Sequence, residues 1–287
     1  MYNKLKKSEF TIVTTFSEDG WNKYGHRFAK SMDQYLPQNI KVLLYYEGTK
    51  PSIKFTDRMH FLDFNNYCGK KQNRFKEIAK QFEHDVLLNR PNEAEFKFQA
   101  SRFSHKYYAC EHAVKNITSR YLVWVDADVI ALKTIPETFF YKLVFSGAYW
   151  SRISRGQEYP ECGFMVWDRQ HNIHKVFWKV MKTMYDDGQL FKLPEWHDSY
   201  VWWEAEKTLQ NKFDNMITFD LGDGEHGHAF IRGVLGEYFD HLKGERKIFG
   251  FSPEKETILH KFFYFILISI LRIFKKLKKL MSKQLSK

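Results

Sequence analysis

The sequence predicts an α/β protein with a central, mostly parallel β-sheet flanked by helices. Three observations lead to this prediction. A strand, a helix and a second strand follow one another at residues 10–16, 24–36 and 40–46. A later run at residues 121–125 is apolar throughout, as buried parallel strands are. The 287 residues are enough for one large α/β domain or two small ones.

The rest of the chain continues this alternation. Ser101 is the predicted N-cap of a helix that leads into the strand at residues 121–125. No glycine-rich phosphate loop is recognisable. The other predicted segments are a strand at 59–64, a helix at 72–84, an irregular connection at 89–99, a helix at 135–145, strands at 148–153 and 163–167, and helices at 171–186 and 199–209.

Composition indicates a folded protein of a reducing compartment. Apolar residues make up 44% and aromatic residues 18% of the chain, which excludes general disorder. The three cysteines, Cys68, Cys110 and Cys162, are widely spaced and predict neither a disulfide framework nor a zinc cluster. The first ten residues lack the apolar segment of a secretion signal, so we expect a cytoplasmic protein.

Positive charge is concentrated at the end of the chain. The formal net charge is +11, and the residues after Thr257 contribute +8 of it, with no acidic residue among them. A nucleic-acid-binding groove would require its basic residues on the folded domain, so no nucleic acid partner is expected. Composition shifts near residues 250–253, which predicts a domain at 1–252 and a basic tail at 253–287.

The tail is predicted to be an amphipathic C-terminal helix. Its apolar run at residues 262–271 is shorter than the roughly 20 residues that cross a bilayer. A helix lying in the interface of an anionic membrane, on its cytoplasmic face, fits this pattern. The alternative is a helix docked on its own domain or on a second subunit. The predicted apolar stripe consists of Phe263, Leu267, Ile270, Phe274, Leu277 and Met281.

Two carboxylates directly follow the apolar strand. Asp126 and Asp128 lie just past its carboxyl end, which is the edge where open α/β sheets bind ligands. Hard oxygen ligands suit Mn²⁺ or Mg²⁺, and such an ion suits a diphosphate. The alternative is a strand that simply exits into a polar surface loop.

Several motifs resemble one known family. They are YLVWVDADV at 121–129, preceded by RFSHKYYA, and then ECGFMVW, WHDSYVW and DHLKGERK. In this order they resemble nucleotide-sugar glycosyltransferases of GT-A (Rossmann-like) fold, of the glycogenin and lipopolysaccharide galactosyltransferase type, over residues 10–247. The resemblance implies that Asp126, Asp128 and His241 bind Mn²⁺ or Mg²⁺. It also implies that Gly244 and Lys247 meet the donor diphosphate.

The resemblance further implies where the nucleotide-sugar donor binds. The end of the first strand is expected to contact the base and ribose, with an aromatic ring nearby. Basic residues that precede the strand at residues 121–125 are expected to contact the donor. The basic residues are alternatively surface charges. Together with Asp126, the expected donor-binding residues are Thr14, Thr15, Phe16, Tyr24, Arg102 and Lys106.

Asp198 in WHDSYVW is the predicted catalytic residue. By resemblance it faces the anomeric carbon, as a base in an inverting reaction or as a nucleophile or ion-pair partner in a retaining one. The chain departs from the family's DQD-like triplet here, which leaves the stereochemistry open. The alternative is a helix cap at Asp198. Glu161, Trp196 and His197 are predicted to line the acceptor sugar pocket, although core packing explains Trp196 equally well.

These observations predict a metal-dependent glycosyltransferase. It would move a sugar from a nucleotide diphosphate donor, with UDP as the expected nucleotide, to a glycan or lipid-linked acceptor at a membrane. Two alternatives stay open at this stage. One is a nucleotidyltransferase of related fold, and the other is a noncatalytic, membrane-associated glycan-binding protein.

Overall fold

The computed structural model describes residues 8–90, 92–156, 158–213, 216–222, 228–258 and 266–270. The strands are β1 (Phe10–Phe16), β2 (Lys41–Tyr46), β3 (Met59–Asp63), β4 (Tyr121–Val125), β5 (Val129–Ala131), β6 (Ala148–Arg155), β7 (Glu158–Asp168), β8 (Ile217–Asp220) and β9 (Phe239–His241). The helices are α1 (Glu18–Gly20), α2 (His26–Tyr35), α3 (Lys70–Asn89), α4 (Ala100–Asn116), α5 (Glu137–Lys142), α6 (His174–Tyr185), α7 (Asp198–Gln210) and α8 (Ala229–Arg232).

Seven strands form one mixed sheet in the order β3-β2-β1-β4-β7-β6-β8. Parallel pairs join β3, β2, β1 and β4, and β6 with β8, whereas β7 is antiparallel to both β4 and β6. The predicted α/β class with a mostly parallel central sheet is therefore confirmed. The parallel pair of β1 and β4 brings the carboxyl ends of both strands to the same edge.

A second, two-stranded sheet connects distant parts of the chain. Strand β5 pairs antiparallel with β9, and Val129 lies directly opposite His241. The amide of Leu242 also donates to the carbonyl of Asp128 at 3.0 Å. The small sheet thus brings the residues that follow β4 next to the HLKGERK segment.

Helices cover both faces of the large sheet because its strands are apolar on both sides. One buried cluster lies on the face covered by α3, α4, α6 and α7 and includes Trp150, Trp167 and Trp202. The other lies on the face covered by α2, α5 and α8 and includes Phe28 and Phe140. Burial of each such ring contributes on the order of 2–3 kcal/mol, so the site rests on a rigid support.

Some helix boundaries differ from the prediction. Helical structure begins at Glu18, earlier than the predicted residue 24, because the Ser17 hydroxyl caps it by accepting a bond from the Gly20 amide at 3.1 Å. The predicted N-cap role of Ser101 is wrong. Helix α4 begins at Ala100, and the Ser101 amide instead donates to Glu83 at 2.6 Å.

The start of the predicted tail packs against the domain. Lys255 donates to the carbonyl of Gly236 at 2.5 Å, and Glu256 pairs with Arg246 at 3.3 Å. The predicted boundary between residues 252 and 253 stays a prediction. No helix within the described residues is long and apolar enough to cross a membrane.

Only a small part of the predicted amphipathic helix is described. Residues 266–270 are helical, with Ile268 buried and Leu267 and Ile270 exposed. The remaining predicted stripe residues lie outside the described residues, namely Phe263, Phe274, Leu277 and Met281.

Candidate functional site

A cavity of about 500 Å³ lies at the carboxyl ends of β1 and β4, the edge of the sheet predicted to bind a ligand. Acidic and basic side chains from five separate segments converge on it. The charged residues in its wall include Arg102, Lys106, Asp126, Asp128, Asp198, His241, Lys243 and Lys247.

The three predicted metal ligands come together at this cavity. Asp126, Asp128 and His241 each offer one ligand atom, and these atoms lie within 4.8 Å of one another. The two aspartates follow β4 directly, while His241 reaches them through the pairing of β9 with β5. The predicted convergence of two carboxylates with a distant imidazole is thus present in the structure.

His241 lies between two carboxylates. Its Nε2 is 3.3 Å from Asp128 Oδ1, and its Nδ1 is 2.7 Å from Glu161 Oε1. Burial alone would lower the pKa of His241, but the two carboxylates outweigh it and raise the pKa to about 10. Burial likewise opposes ionisation of Glu161, yet His241 holds the pKa of that carboxyl well below its usual range.

Glu161 therefore supports His241 instead of lining a sugar pocket. Its side chain is buried, and its second oxygen accepts a bond from Arg155 at 2.8 Å. Glu161 is also absent from the cavity wall. The predicted acceptor contact is corrected, because both carboxylate oxygens face protein groups. A carboxylate behind a ligand histidine fixes the orientation of the imidazole ring.

The family motif at residues 241–247 places Lys247 and Gly244 at the cavity. Lys247 Nζ is 2.5 Å from Asp128 Oδ2 and lies 5.5 Å from the centroid of the Tyr24 ring. Gly244 has a φ of +60°, a conformation that side-chain-bearing residues rarely adopt. Nothing lies within 4 Å of the position that a Cβ of Gly244 would occupy, so backbone is open to a ligand there.

Lys106 joins the metal-ligand group to the predicted catalytic residue. Its buried ammonium is 2.9 Å from Asp126 Oδ1, donates to Asp198 Oδ2, and donates to the carbonyl of Cys162 at 2.8 Å. Burial disfavours the charged form of Asp198, but Lys106 outweighs it and lowers the pKa of this carboxyl. The ammonium is held by protein groups, so Lys106 positions the two carboxylates. Lys106 also lines the cavity, and its predicted contact with a donor stays a prediction.

Burial and neighbouring charges shift the pKa values of Asp126 and Asp128 in opposite directions. Burial is the largest influence on Asp126 and raises its pKa, against the opposing effect of Lys106. Burial acts in the same direction on Asp128, but His241 and Lys247 hold the pKa of Asp128 well below its usual range. Trp124 also donates its indole N–H to Asp126 at 2.7 Å. Bonds from Trp124 and Lys106 thus fix the orientation of the Asp126 carboxylate.

The donor set fits a divalent cation such as Mn²⁺ or Mg²⁺. Two carboxylates provide hard oxygen ligands, and Mn²⁺ accepts an imidazole nitrogen as well. Asp128 Oδ1 is buried and lacks a hydrogen bond of good geometry within the described chain, so a cation would satisfy it. Because a ligand imidazole must be neutral, metal binding would release the His241 proton.

All of the predicted donor-binding residues except Thr14 line the cavity, namely Thr15, Phe16, Tyr24, Arg102, Lys106, Asp126, Gly244 and Lys247. Thr14 does not, because it is fully buried in the core and neighbouring side chains of a strand point to opposite faces. The structure therefore corrects Thr14 from a donor contact to a core residue.

The predicted acceptor residues Trp196 and His197 are buried. Trp196 packs edge-on against Phe98 with ring centroids 5.4 Å apart, and its indole donates to the Leu193 carbonyl at 3.0 Å. Trp196 is thus a core residue, and the predicted acceptor contact is corrected. His197 caps α7, since its Nδ1 accepts a bond from the Tyr200 amide at 3.4 Å. The helix cap is therefore His197 and not Asp198, which lines the cavity.

Gly163 is a functional residue that the sequence analysis missed. A Cβ at this position would lie 2.9 Å from Cε1 of His241, so glycine makes room for the imidazole. The Gly163 carbonyl also accepts a bond from the Asp126 amide at 2.9 Å. The glycine of ECGFMVW was visible as part of a motif, but its role follows only from the packing of β7 against β9.

No protein-family model and no curated protein sequence matches this chain. Among solved structures it resembles the glycosyltransferase GlyE of Streptococcus pneumoniae, at 11% identity and a TM-score of 0.39, over 75% of this chain and 46% of that chain. It also resembles mouse xyloside xylosyltransferase 1, at 11% identity and a TM-score of 0.44, over 74% of this chain and 85% of that one.

A third similar structure is a galactosyltransferase in complex with donor and acceptor sugar analogues, at 14% identity and a TM-score of 0.39, over 72% of each chain. This chain spans less than half the length of the GlyE chain. These are distant likenesses, with TM-scores below 0.5, and they do not establish an activity. What the chain does must be argued from the cavity itself.

Proposed function

We propose that this protein is a glycosyltransferase that uses a divalent cation to transfer a sugar from a nucleotide diphosphate sugar, with UDP as the nucleotide, to a glycan or lipid-linked acceptor. One observation carries the proposal. Asp126, Asp128 and His241 converge at one end of a cavity that also contains Lys247 and Asp198. This combination provides cation ligands, a counter-charge for a diphosphate and a separate carboxylate.

The reaction breaks the bond between the anomeric carbon and the diphosphate oxygen and forms one to an acceptor hydroxyl. The diphosphate departs with the electron pair, and the acceptor hydroxyl loses its proton. A cation bound by the two aspartates and His241 would neutralise charge on the departing diphosphate. Lys247 contributes a second positive charge at the same place, and the open backbone at Gly244 allows phosphate oxygens to approach.

In the proposed reaction Asp198, which lines the cavity, meets the sugar. Lys106 keeps it ionised by lowering its pKa, which also makes it a weak base. An ionised carboxylate is well suited to stabilising positive charge at the anomeric carbon or to attacking it. Because Lys106 also binds Asp126, it sets the position of Asp198 relative to the cation ligands.

The test is a thermal-shift series with UDP and UDP-sugars, with and without Mn²⁺. A ligand that binds the native state raises the melting temperature, so we expect the largest shift when UDP and Mn²⁺ are both present. Asp128→Asn should abolish the metal-dependent part of the shift. Asp19→Asn is the matched control, because Asp19 is an exposed aspartate with 72% of its side chain accessible. Equal metal-dependent shifts in both variants would contradict the proposed site.

Product analysis then separates the possible reactions. A glycosyltransferase incubated with its UDP-sugar and no acceptor is expected to release UDP and free sugar slowly. A nucleotidyltransferase would instead break the bond between the two phosphorus centres, so that reaction with water gives UMP and sugar 1-phosphate, and a binding protein would release nothing. The expected result is metal-dependent UDP release that is lost in Asp198→Asn.

The basic tail is proposed to hold the enzyme at an anionic membrane surface. The support for this is its charge of +8 after Thr257 and the exposed apolar Leu267 and Ile270 of the short described helix. Co-sedimentation of the full chain with vesicles that contain phosphatidylserine tests it. We expect binding to vanish when the six lysines after Arg272 are replaced by glutamine, and binding that persists would contradict the proposal.

A further inference from the structure

Aromatic side chains continue from the cavity onto the outer surface next to Asp198. Phe103 lines the cavity, and its ring centroid is 6.2 Å from that of His197. His197 in turn is 4.7 Å from Tyr159 and 6.2 Å from Tyr200. Tyr200 is 5.8 Å from Trp203. These five residues, Phe103, Tyr159, His197, Tyr200 and Trp203, are called the aromatic row below.

The outer part of the row is a surface of α7. Tyr200, Trp203 and Lys207 are spaced three and four residues apart, so they share one face of the helix. All three are partly exposed, whereas Val201 and Trp202 between them are buried in the core. Large rings that stay partly accessible on a helix face are available to a ligand.

Neighbouring charges hold the rings in place. His197 donates from Nε2 to Glu195 at 2.8 Å, and Glu195 also accepts a bond from Lys97 at 2.6 Å. On α7, Lys207 donates to Glu204 at 2.6 Å and lies 3.7 Å from the centroid of the Trp203 ring. Rings that are already ordered lose little conformational entropy when a ligand binds to them.

These charges also restrict the kind of ligand. Each lysine beside the row is paired with a glutamate, Lys97 with Glu195 and Lys207 with Glu204. Along the outer part of the row, a phosphate or carboxylate group would have to compete with these glutamates for the lysines. Arg102, 5.6 Å from the centroid of the Phe103 ring, is the cation at the cavity end of the row. An uncharged ligand with flat apolar faces and hydroxyl edges, such as a chain of neutral sugar rings, fits the row without breaking either pair.

We propose that the aromatic row is the acceptor-binding surface and that the acceptor is a neutral oligosaccharide. This rests on the proposed sugar transfer, because Phe103 at the inner end of the row lines the same cavity as Asp198, where the reacting hydroxyl has to arrive. Several sugar units stack along Tyr159, Tyr200 and Trp203, and the terminal unit enters the cavity past Phe103. The acceptor surface therefore lies on the outer face of α7 and not around the buried Trp196 and Glu161.

Binding to the row can be measured without donor or metal. The full chain is labelled with 5-fluorotryptophan, and the ¹⁹F resonance of Trp203 is assigned by its disappearance in Trp203→Phe. The labelled protein is titrated with maltohexaose, cellohexaose and chitohexaose as neutral probes and with hexagalacturonate as an anionic probe. We expect at least one neutral hexasaccharide to shift the Trp203 resonance, and hexagalacturonate to have a smaller effect.

Variants then show whether the row carries the binding. By calorimetry, the affinity for the hexasaccharide that binds should fall at least tenfold in Trp203→Ala and in Tyr200→Ala. Trp203→Phe should retain most of it. The matched control is Phe145→Ala, because Phe145 is 55% exposed and packs on Phe219, away from the row. Cooperative thermal unfolding of each variant shows that it is folded.

Three results would overturn the inference. They are no shift with any neutral hexasaccharide, equal affinity in Trp203→Ala and wild type, or binding of hexagalacturonate alone. The titration also separates this inference from the proposed function. Oligosaccharide binding without metal-dependent UDP release would support the row and refute sugar transfer, whereas UDP release without binding would refute the row alone.

Discussion

Asp126 and Asp198 are bound by the same ammonium group, although one follows β4 and the other begins α7. Lys106 lies between them and is itself buried. The predicted cation ligand and the predicted catalytic carboxylate are therefore parts of a single charge network. A change at one of them is transmitted to the other through one side chain.

Replacement of this lysine should be strongly destabilising. In Lys106→Met, two buried carboxylates lose their counter-charge, and breaking a buried pair in this way costs about 3–5 kcal/mol. Urea unfolding measures the loss. Lys71→Met is the control, because Lys71 is 47% exposed in its pair with Glu111 and should lose no more than about 1 kcal/mol. A loss in Lys106→Met as small as in the control would refute the network.

Glu161→Gln should weaken metal binding without removing a ligand. The carboxylate orients His241 through the contact to Nδ1, and loss of such a partner typically lowers metal affinity by about 10–100-fold. Titration of Mn²⁺ followed by electron paramagnetic resonance measures the affinity. Glu158→Gln, an exposed position on the same strand, should bind Mn²⁺ as wild type does. Equal affinity in the two variants would restore Glu161 as a candidate acceptor contact.

Gly163→Ala should displace the histidine. The added methyl group would lie 2.9 Å from Cε1 of His241, and overpacking of this kind costs about 1–3 kcal/mol. Both the melting temperature and the Mn²⁺ affinity should fall. Gly69→Ala is the opposite case, since its Cβ would meet nothing closer than 3.5 Å and helical alanine is favoured by about 1 kcal/mol. Unchanged Mn²⁺ affinity in Gly163→Ala would show that the added methyl group does not displace the His241 imidazole.

His174 should make stability depend on pH. Burial lowers its pKa from 6.5 to about 4, so the unfolded chain binds a proton that the folded state excludes. The contribution of His174 is complete above about pH 6.5 and is lost as the pH falls toward 4. After allowance for partial exposure, His174→Gln should reduce the loss of unfolding free energy between pH 7 and pH 5 by about 1 kcal/mol.

Urea unfolding at a series of pH values measures this slope. His84→Gln, at a side chain that is 70% exposed, should leave it unchanged. If the unfolding free energy of His174→Gln falls as steeply between pH 7 and pH 5 as that of wild type, groups other than His174 cause the loss of stability at low pH.

The sequence pattern predicts the large sheet well because its strands are long and apolar. The runs at residues 10–16 and 121–125 became β1 and β4 with the predicted bounds. The paired strands β5 and β9 were not predicted, since three residues each are too short to show a period of two. The meeting of His241 with the aspartates was therefore available from the family motif but not from any local pattern.

Partners of buried charges were the least predictable part of the site. Glu161 was assigned to a sugar and Lys106 to a donor, whereas both bind other side chains. Such pairs join segments that are distant in the chain, so no spacing rule reports them. Thr14 differs, because the alternation along β1 could have shown from sequence alone that it and Thr15 do not share a face.

The pairing of β5 with β9 also determines when, during synthesis of the chain, the proposed cation site can form. His241 and Lys247 belong to the last part of the folded domain, and they reach Asp128 only after the chain between residues 131 and 239 has been laid down and ordered. A nascent or prematurely terminated polypeptide that stops short of β9 would lack one of the three cation ligands. The proposed cation site is therefore expected to form only with essentially complete synthesis of the domain.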